Sequence, residues 1–152
     1  MDAPGKRGEL HDMARRLGTA GYFVVLPNLY YRRVRDFRMG TGDDARRIMF
    51  EHMNSLDRTK VLADTAAMLK FAASEPAARS DKIGVVGYCM SGPFVLWAAA
   101  QYPDRVAAAA SFHGVNLCTD SPESPHRFAA DIKAELSIWR SEERRVGKEC
   151  RS

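Results

Sequence analysis

DKIGVVGYCMSG, Asp81 to Gly92, is the stretch whose reading decides the fold. KIGVVG (82–87) is a short apolar run, the pattern of a strand buried on both faces. MSGPFVLWAAAQY (90–102) reads as an apolar helix that ends before Pro103. Pro93 falls in its first turn, where a missing N–H costs little. Between strand and helix the chain must turn sharply, with Cys89 at the apex. Gly87 and Ser91 stand two positions to either side, and Gly92 follows. A turn this tight brings strand and helix together, so large side chains would collide there. A buried structural cysteine needs no such neighbours. A nucleophile held at the tip of a turn does.

The pattern extends outward in both directions. RGELHDMARRLGTA (7–20) carries Leu10, Met13, Ala14 and Leu17 at helical spacing, with Gly21 as its stop. YFVVLP (22–27) reads as another doubly buried strand, closed by Pro27. The basic and aromatic stretch 28–44 reads as a loop, and Asp43 or Asp44 is placed to cap a helix over about 44–53. DRTKVLADTAAMLKFAA (57–73) repeats the helical spacing. VAAAASFHG (106–114) predicts a third strand, and FAADIKAELSIW a short helix followed by a fourth strand near 134–139. Strands alternating with helices predict a mostly parallel sheet covered on both faces. Ligands in such folds bind at the C-terminal ends of the strands, where Cys89 lies.

Composition narrows the function classes. The chain has 152 residues and 28% charged residues, which suits one ordinary globular domain. The net charge is +4, but residues 140–152 hold five Lys/Arg against three Glu, so half of the excess sits in that tail. A body this balanced does not call for nucleic acid. No apolar run suits a membrane helix, and the N-terminus has no signal-peptide core. The 3 cysteines (Cys89, Cys118, Cys150) form no even framework and no CxxC pair, so neither a disulfide scaffold nor a metal site is expected, and a reducing cytoplasm fits.

The helix end beneath the apex favours the thiolate form of a cysteine. The Met90 N–H is placed to meet an oxyanion in front of the sulfur. Ser91 is a poorer nucleophile, because its own turn would need a small residue where Pro93 stands.

These residues resemble the dienelactone hydrolase family of the α/β-hydrolases. GYCMSG behind KIGVV is similar to that family's GYCxGG, with Ser91 in place of the first glycine of the final pair. MDAPG, an amphipathic helix and YFVVLPNLYYR resemble its pattern further upstream, and the likeness runs from residue 1 to about 139. The resemblance implies a three-layer α/β sandwich, here incomplete. It implies a hydrolase of small esters or lactones with a Cys-Asp-His triad and no metal or organic cofactor. Carried over by position, Cys89 is the nucleophile, Met90 and Ala3 give the oxyanion amides, and Asp2 meets the resting thiol. Arg46 falls on an arginine that binds a substrate carboxylate; a plain surface charge on its helix is the other reading. Tyr88, Arg32 and His113 are expected beside the substrate, with His113 as a pocket-lining or core residue rather than a base. Loop residues Tyr30, Tyr31, Arg32 and Phe37 suit a planar carboxylated ligand, and they suit plain packing as well.

The two ends depart from the family. No Asp follows Asp131, and the last histidine, His126, precedes the final strand, so the triad partners are missing and the fragment is expected to be nearly inactive. RSEERRVGKECRS (140–152) has no apolar periodicity and resembles a translated sequencing adapter, so 1–139 is read as a partial domain and 140–152 as non-native. The family also has strands before MDAPG, one of which would lie between 22–27 and 82–87. Two other readings stay open: a binding module that has lost its triad, and a redox thiol resolved by Cys118. The oligomeric state is not legible.

Overall fold

A computed structural model describes residues 1–140; residues 141–152, which include most of the tail expected to be non-native, lie outside the described residues. The elements in chain order are helices α1 (Gly8–Thr19), α2 (Asp43–Asn54) and α3 (Arg58–Ser74), strand β1 (Ile83–Tyr88), helix α4 (Gly92–Gln101), strand β2 (Val106–Phe112) and strand β3 (Glu135–Trp139). Short 3-10 turns cover Cys89–Ser91 and Pro125–Asp131. The sheet order is β1-β2-β3, and both pairings are parallel, with Tyr88 opposite Phe112 and Phe112 opposite Trp139.

β1, α4 and β2 form the strand–helix–strand unit expected from 82–112. Burial is one-sided rather than two-sided. Val85 and Ala109 pack against Val95, Leu96 and Ala99 of α4, while Val86 on the opposite face is 44% exposed. α3 packs behind α4. A second core gathers Met1, Ala3, Leu10, Leu29, Tyr30, Met49 and Met90. The elbow lies at the seam between the two cores, because Met90 and Phe94 join one and Val95 and Leu96 the other.

Three local readings are corrected. YFVVLP forms no strand: residues 22–27 belong to no regular element, with Tyr22 67% exposed and Phe23 packed against Phe71 of α3 at 6.4 Å. An apolar run becomes a strand only where a neighbouring backbone accepts its hydrogen bonds, and β1 is paired on its β2 side alone. Neither Asp43 nor Asp44 caps α2. Gly42 at φ 88 is the N-cap, and the two aspartates occupy the first turn, where carboxylates favour the positive end of the helix dipole. The predicted helix over 90–102 starts with a 3-10 turn, and regular α-helix begins at Gly92. The capping Asp57 of α3, by contrast, accepts from the Lys60 N–H at 2.8 Å.

Candidate active site

Cys89 stands exposed at the C-terminal end of β1 with φ 50, the left-handed region that side chains rarely adopt. Holding a non-glycine residue there costs about 1–3 kcal/mol, which neighbouring contacts must offset. Those contacts are visible. The Ser91 hydroxyl accepts from the Tyr88 N–H at 2.8 Å and donates to the Tyr88 carbonyl at 3.1 Å. The Cys89 carbonyl accepts from the Val115 N–H at 3.2 Å. The Ser91 hydroxyl is thus occupied in shaping the turn, and Cys89 stands exposed at its apex.

The small residues are required by contact. A Cβ on Gly87 would sit 2.2 Å from the Ser91 carbonyl oxygen. One on Gly92 would sit 2.3 Å from the Cα of Gly114. Gly114, in the loop after β2, was not singled out in the sequence; its role depends on a helix packing against a loop 22 residues later, which no local spacing shows. His113 and Asn116 beside it also take left-handed φ, 53 and 55. All three left-handed non-glycine residues among the described residues therefore border one turn.

Ala3 and Met90, the two residues expected to give oxyanion amides, come together. Both are buried in the same core, and Tyr30 joins them: its hydroxyl lies 2.8 Å from the Ala3 carbonyl oxygen and 3.2 Å from the Met90 sulfur. Tyr30 is only 1% exposed, so it belongs to the core and not to a ligand loop. Phe37 meets its ring edge-on at 5.6 Å, and His52 stacks on it at 5.3 Å. Burial pushes the Tyr30 phenol well above its usual range, and the neighbouring Asp2 and Cys89 push it further.

The remaining expected residues are more scattered. Asp2 pairs with Arg7. Arg32 makes a two-pronged ion pair with the buried Asp64, at 2.8 and 2.7 Å, to which the Tyr31 hydroxyl also donates at 3.0 Å. That guanidinium is consumed in tying the 28–35 loop to α3. Arg46 is exposed one turn before Met49 on α2, in no ion pair among the described residues. Tyr88 stacks on Phe112 at 5.4 Å, and Phe112 on Trp139 at 6.3 Å, one ring from each strand. His113, expected to line the pocket, is exposed, and its N–H donates to the Trp139 carbonyl at 2.8 Å.

A cleft of about 500 Å³ starts beside the turn. Met90, Phe94, Trp97, Met53 and Val115 give it an apolar wall, and Arg58 lies among its polar residues. Cys89 and His113 lie just outside this lining. The Arg58 guanidinium rests on the Phe128 ring at 4.3 Å, is in no ion pair among the described residues, and keeps a buried Nε without an acceptor. Asp57, also in the cleft, is engaged by Lys60 at 2.5 Å.

The His52 ring has a consequence for stability. Its Nδ1 is buried without a partner. Burial first, then Arg33, lower its pKa, against a smaller opposing pull from Glu51. A depressed pKa means that the unfolded chain takes up the proton first as pH falls. This contribution to stability is full above about pH 6.5 and is lost as pH drops through the folded value. The melting temperature is expected to fall between pH 7 and pH 5. His52→Phe, which keeps the stack, is expected to flatten that slope; an unchanged slope would assign the acid sensitivity elsewhere.

The model of the dienelactone hydrolase family matches residues 1–147. The chain is 30% identical over 134 residues to a Methylorubrum extorquens protein named "Putative carboxymethylenebutenolidase", covering 86% of this chain and 44% of that protein. It is 33% identical over 131 residues to a Bradyrhizobium protein named "Probable 2-oxo-3-(5-oxofuran-2-ylidene)propanoate lactonase", covering 84% and 50%. It is 30% identical over 99 residues to the carboxymethylenebutenolidase of Pseudomonas putida, covering 64% and 40%. The chain thus spans about half the length of the curated relatives it matches.

Proposed function

The chain belongs to the dienelactone hydrolase family, and on that premise we propose that it carries the nucleophile and oxyanion pocket of a hydrolase of small esters or lactones. The observation that carries this reading is an exposed cysteine held at φ 50 on a turn that glycine contacts keep tight. The Cys89 thiolate adds to the substrate carbonyl carbon, and the carbonyl π electrons move to oxygen. The amides of Met90 and Ala3 receive that oxyanion. Collapse expels the alkoxide, which takes a proton from water, and leaves a thioester on Cys89. Addition of water then releases the acid and restores the thiol. In a lactone the expelled alkoxide stays on the acyl chain.

The second half of the cycle wants a general base. Among the described residues no histidine hydrogen-bonds to Cys89. His52 is stacked in the core, and His126 Nδ1 lies 2.8 Å from the Ser124 hydroxyl. Missing base assistance slows hydrolysis of the thioester by about 10²–10⁴. An activated ester such as p-nitrophenyl acetate is therefore expected to leave one acetyl group on Cys89, seen by intact mass and peptide mapping. A chain that stays unacetylated at Cys89 would return the molecule to a binding role.

We place the acyl chain in the cleft beyond Met90, with Arg58 as its cation. Arg58 supports a carboxylate on the substrate better than Arg46 does, because it lines the cleft and is in no ion pair among the described residues, whereas Arg46 is exposed outside it. Acylation by the mono-p-nitrophenyl ester of glutaric acid is expected to fall about tenfold in Arg58→Gln, in line with a charge-assisted hydrogen bond of roughly 1.5–3 kcal/mol. Acylation by p-nitrophenyl acetate should be unchanged. The same selective loss in Arg46→Gln would move the carboxylate to α2.

A further inference from the structure

We propose that Tyr30 is a positioning residue for the oxyanion pocket, its hydroxyl tying the Ala3 segment to Met90 and so setting the separation of their two amides. This rests on the reading of Cys89 as the nucleophile.

The geometry is specific at both ends. The single Tyr30 hydroxyl proton is shared between the Ala3 carbonyl oxygen at 2.8 Å and the Met90 sulfur at 3.2 Å. On its N-terminal side, Ala3 is held by a second bond, in which the Gly5 N–H donates to the Asp2 carbonyl at 3.1 Å. In a trans peptide the N–H points opposite to the C=O of the same plane. Fixing the Asp2 carbonyl therefore aims the Ala3 N–H, and fixing the Ala3 carbonyl stops the residue rotating about that plane. The Ala3 N–H itself takes no acceptor among the described residues. The Tyr30 ring cannot follow a displacement, because Phe37 and His52 hold it from two sides. Burial keeps the phenol protonated, hence a donor, across the ordinary pH range. A chain segment near residue 3 and a turn near residue 90 are thus held in register through a hydroxyl that never meets the substrate.

The test uses the full 152-residue chain and two reactions of the same thiol. Acetylation by p-nitrophenyl acetate builds negative charge on a carbonyl oxygen, whereas alkylation by iodoacetamide builds none. In Tyr30→Phe the acetylation rate of Cys89 is expected to fall about tenfold, part of the 10²–10³ that loss of a whole oxyanion donor costs. Alkylation should change by less than about twofold, because the reactivity of the thiol is untouched. Met90→Leu, which keeps the backbone N–H and removes the sulfur, should lower the same ratio by a smaller factor. A purely structural tyrosine would change both rates together, and an unaltered ratio in Tyr30→Phe overturns the assignment. If circular dichroism shows that Tyr30→Phe does not fold, Met90→Leu decides, and an unaltered ratio there overturns it equally. Wild-type chain that is alkylated but never acetylated at Cys89 would remove the hydrolase reading, and this inference with it. Normal wild-type acetylation with an unaltered ratio would remove this inference alone.

Discussion

Cys89→Gly is expected to abolish rapid acetylation by p-nitrophenyl acetate and, in the same variant, to raise the melting temperature. The loss follows from removing the sulfur at the apex. Cys118, exposed in a loop, has no comparable turn around it, so the residual rate should be that of an ordinary thiol, at least about 10² lower. The gain in stability follows from φ 50 at residue 89. Glycine takes that conformation without a Cβ clash, relieving part of the roughly 1–3 kcal/mol of strain. Its greater freedom in the unfolded chain takes back roughly 0.5–1 kcal/mol. A net rise of about 1 kcal/mol is the expected result. Cys89→Ala should lose the activity without the gain, since alanine bears the same strain. A Cys89→Gly variant less stable than Cys89→Ala would mean that the turn is not strained by its apex residue.

Gly87→Ala has the larger effect on folding. The added methyl would lie 2.2 Å from the Ser91 carbonyl oxygen, 2.7 Å from its carbonyl carbon and 2.8 Å from Val95 Cγ1. Two of those atoms are backbone in the turn itself, so no rotamer change relieves the contact. Either β1 or the start of α4 must move, and both belong to the core around Val85, Ala99 and Ala109. Overpacking of a well-filled site costs about 1–3 kcal/mol and more where backbone must shift, and we expect at least the upper end here. That is a large part of the roughly 5–15 kcal/mol by which a domain is stable. The urea midpoint should fall accordingly. Gly18→Ala is the matched control: it sits in α1 with no atom within 4 Å of an added Cβ. That change should be neutral or stabilising by up to about 1 kcal/mol. Equal midpoints for the two variants would contradict the crowding at residue 87.

The elbow was legible because its constraints are local. Strand, turn and helix lie within 21 consecutive residues, Gly87 to Ser91 follow from the tightness of one turn, and α4 was readable from its apolar content and Pro93. The helices α1 and α3 were legible in the same way, from apolar spacing within one segment, and α2 from the aspartates at its start. YFVVLP was misread because the same run satisfies the pattern of a buried strand whether or not another backbone lies beside it. Helical spacing does not fix burial: on the α1 stripe Leu10 packs, while Met13 and Leu17 stay 37% and 42% exposed.

Around the turn, identity and role separated. Tyr30 and Arg32 stand two positions apart in one stretch that reads as a ligand loop, yet the first is sealed in the core and the second is spent on Asp64. Arg58, which carried no motif, lines the cleft with an unpaired Nε–H. By itself the sequence determined the family, the parallel strand–helix–strand unit and the cysteine at its apex, because each rests on residues near one another in the chain. Only the tertiary structure decided which tyrosine binds Ala3 to Met90, which glycine meets Gly92 and which arginine lines the cleft. Those are properties of contacts between distant segments, and a side chain's partner is set by what the fold brings to it.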